Sequence, residues 1–247
     1  MKIGILFTVF SHLMPFLKMV QPYLVGVIFI LIYLVEHIIP QRKEMTDYRH
    51  DATNMAIGLG NLIIAGVGGY LLQKCLDFGS LHTFGLLTHL PVWLELVLGF
   101  ILADLFMYWW HRANHRIPFL WYFHRFHHLD TNLNASSSVR FHTVELILSY
   151  FLKIPVFMFL GISSGALIIY GIIFIPVVIL HHSNIRISEK TDWLLRLFFV
   201  SPRMHRIHHS VIFEETNSNY SSVFPYWDKI FRSYRRLPEK EVVFGVS

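Results

Sequence analysis

The chain has 247 residues, of which 54% are hydrophobic and 16% aromatic, and its mean hydropathy is +0.48. This composition is too apolar for an ordinary soluble domain and predicts a membrane protein. The formal net charge of +5 comes from basic residues that flank apolar runs, which favours the loop bias of membrane proteins over binding to nucleic acid. The one cysteine, Cys75, excludes an internal disulfide and a cysteine-based zinc or iron–sulfur site.

Two apolar runs begin the chain. Residues 3–20 are interrupted by His12, Pro15 and Lys18 and predict an interfacial helix or a poor first span. A cleaved signal peptide is disfavoured, because no small-residue cleavage site follows and another apolar run starts at once. Residues 22–39 are long enough to cross about 30 Å of hydrocarbon and predict a membrane span.

Two further spans follow. Residues 53–74 predict a span whose small residues pack closely against a neighbouring helix; these are Gly58, Gly60, Gly66, Gly68 and Gly69. Residues 92–110 predict a returning span that ends in an aromatic belt. The helix should continue through His111 and His115 until Pro118 ends it.

Asp104 is an acidic residue inside the returning span, where a carboxylate is costly without a partner. Helical spacing places it on the same face as His111 and His115. We predict that it accepts a hydrogen bond from a ligand imidazole and so fixes that ring's tautomer. The alternative is a hydrogen bond between helices.

The second half contains a predicted hairpin and a polar tail. A polar loop at 129–145 precedes apolar runs at 146–160 and 165–180. Each run is short for a full span, which predicts a hairpin that enters and leaves the bilayer, either across its full depth or at shallow depth. In the tail that begins at Ser183, Ser201 is a good N-cap for a helix. Pro202 follows it at the first helical position, and the segment behind it should cover a site.

Histidines form three motifs that point to metal. One is HxxxH and two are HxxHH, and they contain His111, His115, His124, His127, His128, His205, His208 and His209. A solvated helix face has no reason to prefer imidazole, whereas neutral imidazole binds zinc, copper, iron and nickel. Because one zinc ion needs only three or four protein ligands, a set this large predicts two metal ions.

These elements predict an all-α integral membrane bundle of about four spans, including a hairpin. A cytoplasmic helical cap would hold a histidine-rich dimetal site. We divide this single integrated unit into N-terminal spans at 1–95 and a catalytic region at 96–240. The positions of Lys and Arg predict that 41–52, 111–145 and the tail after residue 183 share the cytoplasmic side, with 76–90 opposite. The membrane would be the bacterial inner membrane or the endoplasmic reticulum.

The segment from Ala103 to Tyr234 resembles the fatty acid hydroxylase and sterol desaturase superfamily. The matching stretches are WWHRANH, FHRFHH, SVRFHTVE, LHHSNIR, SPRMHRIHHS and NSNYSSVFPYWDKIF. The resemblance implies that the eight motif histidines bind metal and that His182, in HSNIR, is a ninth ligand. Residues that could orient these ligands are Asp104, His142, His181 and Asn219. The family often has glycine where this chain has Ser221 and Arg232.

The resemblance also implies the chemistry. Two iron ions and O2 would oxidise an unactivated C–H bond of a lipid to a hydroxyl group or a double bond, with zinc possible as an adventitious substitute. Electrons would come from a separate electron-transfer protein or reductase, because the sequence has no GxGxxG, CxxCH or cysteine cluster. The substrate would be a sterol, a fatty acyl chain or a related lipid, reached from the membrane.

Three other functions use similar residues. A histidine-rich metal-binding protein or transporter without redox activity would place its ligands near the middle of the bilayer. A zinc hydrolase would have an HExxH motif, which the sequence lacks. Haem ligation by paired histidines would show in an optical spectrum. We expect five histidines outside the motifs to be dispensable for activity, because they match no ligand spacing: His12, His37, His50, His82 and His89.

Overall fold

The computed structural model describes residues 2–236 and 242–246, with side chains from Leu13 onward. The described residues form α-helices without a β-strand. The helices are α1 (Lys2–Ile38), α2 (Tyr48–Leu81), α3 (Val92–Arg116), α4 (Pro118–His128), α5 (Thr143–Leu160), α6 (Ser164–His182), α7 (Glu189–Leu195), α8 (Pro202–His208), α9 (Phe213–Thr216) and α10 (Tyr226–Ile230). Short 3₁₀ segments lie at Lys43–Met45 and Ala135–Val139.

Five helices, α1, α2, α3, α5 and α6, are long and apolar enough to cross a membrane. The all-α class and the multi-pass membrane character are therefore confirmed. The count is five where the sequence predicted about four, because each arm of the hairpin is long enough to count as a span.

The first helix differs from its prediction. α1 is one helix of 37 residues that contains both Pro15 and Pro22, so the predicted division between 3–20 and 22–39 is wrong. Ending a helix inside hydrocarbon would leave several backbone groups unpaired, whereas each proline removes a single hydrogen-bond donor. The apolar stretch of spanning length begins at Leu13. The side chain of His12 lies outside the described residues.

α2 is longer than its predicted core at 53–74. The side chain of Asp47 caps its N-terminus by accepting hydrogen bonds from the backbone N–H groups of Arg49 (2.9 Å) and His50 (3.3 Å). At the other end the helix runs to Leu81. The segment that the sequence placed on the opposite side, 76–90, is therefore a loop only from residue 82, and the loop runs over 82–91.

α5 and α6 form the predicted hairpin, with a left-handed turn at Gly161 (φ 73°). The hairpin is not shallow, because its tip reaches the loop between α2 and α3. The backbone N–H groups of Leu86 and Leu87 donate to the carbonyl oxygens of Phe159 (3.2 Å) and Leu160 (2.9 Å). The tip and the loop thus lie at the same end of the bundle.

The apolar core lies between α2, α3, α5 and α6. Leu76, Ala103, Phe157 and Ala166 are almost completely buried in it. The tail folds over the opposite end of the bundle. Its predicted helix is confirmed, because α8 follows Ser201, whose side chain accepts from the Met204 N–H (3.2 Å). This arrangement leaves the site between the ends of the spans and the tail.

Candidate metal centre

Four helices bring the motif histidines together. α3 and α6 contribute the histidines of their C-terminal turns, and α4 contributes those of its last two turns. α8 contributes two histidines, and the residue that follows it contributes a third. Proline at position 118 begins α4 immediately after α3 ends. The chain therefore turns sharply between the HxxxH motif and the first HxxHH motif and brings both to one place.

The ligand atoms form two groups, each with all its ligand nitrogens within 4.8 Å of one another. The first group contains His111, His115, His124, His128 and His208. The second contains His127, His182, His205 and His209. These are the nine histidines that the sequence suggested as ligands, divided over two sites.

Two Nε2 atoms of the second group, those of His127 and His182, face each other at hydrogen-bond distance but without a hydrogen to share. The Nδ1–H groups of His182 and His127 donate to the carbonyl oxygens of Val178 (2.7 Å) and Arg140 (3.2 Å). A neutral ring with its proton on Nδ1 has only a lone pair on Nε2. The two Nε2 atoms are nevertheless 3.1 Å apart.

The same spacing recurs within both groups. The Nε2 atom of His205 lies 3.0 Å from that of His182 and 3.1 Å from that of His209. In the first group, the Nε2 atoms of His124 and His128 are 3.2 Å apart. Metal–imidazole bonds are about 2.0–2.1 Å, so two nitrogens bound to one ion at right angles lie about 3 Å apart. The donor set and its spacing therefore fit a transition-metal ion in each group.

Burial keeps neutral five of the grouped histidines that lie outside the spanning helices. Burial, reinforced by neighbouring imidazoles, holds the pKa of each of these rings well below its usual range; they are His127, His128, His205, His208 and His209. A neutral imidazole binds metal without first losing a proton. The buried Nε2 atom of His208 has no hydrogen-bond partner among the described residues, which is what a ligand atom requires.

Oxygen acceptors on the far side of several rings fix their tautomers. The Nδ1–H of His111 donates to the Tyr220 carbonyl (2.8 Å) and that of His208 to the Ser218 carbonyl (2.7 Å). The Nδ1–H of His124 donates to Oε1 of Glu145 (2.8 Å), a carboxylate on α5. The sequence did not identify Glu145 in this role, although its place near the first turn of a helix beside the motifs was visible.

The predicted contact of Asp104 with a ligand imidazole is wrong. Its carboxylate accepts from the Tyr170 hydroxyl (3.0 Å), from the Trp227 indole N–H (2.8 Å) and from the backbone N–H groups of Val223 and Phe224. The helical spacing was correct, but the tail packs between this carboxylate and the histidines. Asp104 joins α3 to α6 and to the tail, which includes the alternative hydrogen bond between helices.

The other residues considered for orienting ligands divide as follows. His181 is buried and its ring lies 4.0 Å from that of His205, centroid to centroid, but it belongs to neither ligand group. His142 caps α5 by accepting from the Val144 N–H (3.2 Å), away from both groups. Asn219 donates to the carbonyl oxygens of Met204 and Arg235 and contacts no ligand ring.

The two departures from the family pattern lie in the tail. Arg232 has a φ of 56°, the left-handed conformation that favours glycine. Ser221 is buried, and its N–H donates to the Asp228 carboxylate (3.0 Å). Neither residue belongs to a ligand group, so the departures alter the backbone of the tail.

A cavity of about 180 Å³ opens from the histidines into the bundle. Its wall includes both groups through His111, His124 and His205, and apolar side chains of the spanning helices such as Met107 and Phe174. An apolar chain lying between the helices would therefore reach the ligand groups without passing through water.

Buried imidazoles at the ends of spanning helices, open to an apolar cavity, define a membrane protein with two groups of side chains that could each hold a metal ion. The chain belongs to the fatty acid hydroxylase family, whose model matches residues 96–233. It is 30% identical over 149 residues to an ornithine lipid hydroxylase of Rhizobium tropici, covering 60% of this chain and 44% of the relative.

Other relatives act on other lipids by name. The chain is 28% identical over 151 residues to human alkylglycerol monooxygenase, covering 60% of this chain and 32% of the relative. It is 28% identical over 157 residues to a Delta(7)-sterol 5(6)-desaturase of Gibberella zeae, covering 61% and 46%. The chain thus spans half or less of the length of these relatives. No solved structure matches it.

Proposed function

We propose that this protein is a membrane oxygenase that hydroxylates or desaturates an unactivated C–H bond of a lipid, using O2 and external electrons. The observation that carries the proposal is the meeting of two neutral histidine groups with an apolar cavity between spanning helices. The family and the named activities of the relatives support the same chemistry.

We assign one iron ion to each group, and zinc as the adventitious substitute, because zinc competes well for nitrogen ligands. Two iron ions bound to these histidines would supply the activation of O2 that oxidation of an unactivated C–H bond requires. The chain's own residues orient the histidine rings and hold the lipid. Glu145 and the carbonyl groups of Tyr220 and Ser218 keep the proton of three rings on Nδ1. Met107 and Phe174 provide apolar wall for the reacting part of the lipid.

The proposed electron donor is a separate protein or reductase, because the sequence has no motif for a second redox cofactor. We place the histidine groups on the cytoplasmic side of a bacterial inner membrane or of the endoplasmic reticulum. The basic loop at 41–47 and the tail support this side. Cysteines introduced at Thr46 and Lys190 should react with an impermeant reagent from the cytoplasm, and one at His82 only from the other side. Reaction of all three from one side would contradict the topology.

The second candidate is a metal transporter. Its supporting observation is the same set of nine imidazoles, but transport requires ligands near the middle of the bilayer. Here the rings lie at the ends of α3 and α6 and on helices outside the spans. Cellular metal content that depends on expression, without any change in lipids, would favour the transporter.

Expression in a host followed by lipid mass spectrometry tests the oxygenase. We expect a lipid gaining one oxygen atom or losing two hydrogen atoms, and about two iron ions per chain after anaerobic loading. His205→Ala and His208→Ala should abolish the product. The matched control is His82→Ala, because His82 is exposed and its ring contacts only its own helix. Iron-loaded protein that changes no lipid in several hosts would contradict the proposal.

A further inference from the structure

Lys153 is a lysine inside a spanning helix, α5, and it lacks a charged partner. Across the described residues, its ammonium group makes no hydrogen bond or ion pair, and it lies 5.1 Å from the centre of the Tyr150 ring. An ionisable side chain at this depth is costly, and such residues usually face a cavity that they serve. The position therefore requires an explanation that the histidine centre does not supply.

Lys153 faces the cavity that opens from the histidines. Glu145, Ser149 and Lys153 follow one another at intervals of four on α5, so they form one polar stripe, and all three line this cavity of about 180 Å³. A second cavity of about 300 Å³ lies deeper between the helices, and its wall also includes Lys153. Lys153 thus lines both cavities.

The stripe fixes how far the lysine stands from the metal centre. Eight residues of helix separate Lys153 from Glu145, which corresponds to about 12 Å. Side chains on a helix lean toward its N-terminus, which here is the end that bears Glu145. A group bound by the ammonium therefore lies within about 12 Å of the carboxylate that holds His124.

Glu145 makes no ion pair with Lys153. Its Oε1 atom accepts from the His124 Nδ1–H (2.8 Å) and from the Asn114 amide (3.3 Å). No carboxylate of the described residues lies within 4.0 Å of the lysine nitrogen. The nine grouped imidazoles bring no negative charge to balance the ammonium either.

The geometry points to Lys153 as the residue that binds an acidic group, a carboxylate or a phosphate, of the lipid substrate. This inference rests on the proposed function and adds a substrate class to it. The acidic group sits beside Lys153, and the chain beyond it extends toward the two histidine groups. Oxidation then falls on a carbon of that chain close to the two histidine groups.

Lipid binding to zinc-loaded protein in neutral phosphatidylcholine nanodiscs tests this. The probes are dibromostearate, the corresponding alkyl phosphate and the corresponding alcohol, whose bromine atoms quench tryptophan fluorescence; Trp110 lines the cavity. We expect at least one acidic probe to bind about tenfold or more tightly than the alcohol, the range expected for a hydrogen bond to a charged group. Lys153→Met should remove this preference, and Lys153→Arg should retain most of it.

Lys74→Met is the matched control. Lys74 also lies in a spanning helix over a tyrosine of its own helix, 5.6 Å from the centre of the Tyr70 ring, but it is exposed. Its replacement should leave the preference intact, and all variants should keep the wild-type zinc content. If the wild type shows no preference for an acidic probe, or Lys153→Met keeps it, the inference is overturned. Because zinc-loaded protein is used, absence of lipid oxidation would count against the proposed function alone.

Discussion

At the scale of single residues, the centre depends on the oxygen acceptors that lie behind five of its nine imidazoles. Carbonyl oxygens serve His111, His127, His182 and His208, and a carboxylate serves His124. An acceptor of this kind holds the ring in one orientation and leaves Nε2 free to bind metal. The centre is therefore built as much from loop backbone as from histidine side chains.

Replacement of Glu145 by glutamine should weaken metal binding at the first group. The amide is similar in size but lacks the negative charge that stabilises the Nδ1–H tautomer of His124. Loss of such a partner typically costs about 10–100-fold in metal affinity or activity. Zinc affinity by chelator competition measures the effect.

The control for this variant is Asp104→Asn. Asp104 is equally buried but touches no histidine, so metal affinity should stay at the wild-type level while the protein loses about 1–3 kcal/mol of stability. Equal losses of metal affinity in the two variants would refute the role of Glu145.

His182 and His181 give a sharper comparison. Adjacent helical residues point about 100° apart, and only His182 places Nε2 among the nitrogens of the second group. His182→Ala should therefore lower metal content and reduce turnover by more than the roughly 10–100-fold caused by loss of an orienting partner. His181→Ala should keep its metal. The reverse result, measured by elemental analysis, would show that α6 turns His181 rather than His182 toward the second group.

His50 shows what motif spacing could not reveal. Its ring contacts the carboxylates of Asp130 (2.6 Å) and Asp51 (3.2 Å), which join α2 to the loop after α4. The sequence predicted that His50 is dispensable because it matches no ligand spacing. That prediction concerns activity and stands untested, but we expect His50→Ala to destabilise the protein by leaving two buried carboxylates without their cation partner.

At the scale of elements, close packing between spans decides the geometry. The glycines of α2 were predicted to pack against a neighbour, and they do so selectively. A side chain at Gly58 would overlap Val139, and one at Gly68 would overlap the Tyr150 ring of α5, whereas Gly60 and Gly66 have nothing within 4 Å. Composition identified a small-residue helix, but the face that packs follows from the placement of α5.

Alanine at Gly68 should therefore destabilise the protein. The added methyl group must displace an aromatic ring of the neighbouring span, which typically costs about 1–3 kcal/mol. Alanine at Gly66, on the same helix, meets open space and should be neutral or stabilising by up to about 1 kcal/mol. Melting temperatures in one detergent compare the two. Equal shifts would indicate that α2 and α5 do not pack as described.

At the scale of the whole molecule, the metal centre could be read from the sequence because its signal is local. The HxxxH and HxxHH spacings put ligands on one face of a helix wherever that helix lies. The acceptors could not be read, since Tyr220 and Ser218 contribute only backbone carbonyls and reach the site through the tail. The continuity of α1 was missed because proline was treated as a helix breaker, as in soluble proteins. In hydrocarbon, ending the helix leaves more backbone groups unpaired than keeping the proline inside it.

The centre also ties distant parts of the chain together, so its protonation should govern stability. Burial lowers the pKa of His127, His128 and His208 below the value of about 6.5 expected in the unfolded chain. Below about pH 6.5 these histidines bind protons in the unfolded chain but not in the folded chain. Their contribution to stability is therefore complete above this pH and decreases as the pH drops. Each such ring costs about 1.4 kcal/mol per pH unit in that range.

We therefore expect the melting temperature of metal-free protein to fall steeply between about pH 6.5 and pH 5. Two carboxylates outside the spans cannot produce this fall. Burial alone would raise the pKa of Asp130, but its contact with His50 outweighs burial and lowers the pKa to about 2. The stability that this carboxylate contributes is therefore lost only in stronger acid. Burial raises the pKa of Asp228. A carboxyl group whose pKa is raised in the folded state adds stability as the pH drops, so its effect is opposite to that of the histidines. A melting temperature that stays constant down to pH 5 would mean that the histidines are not buried together in the metal-free protein.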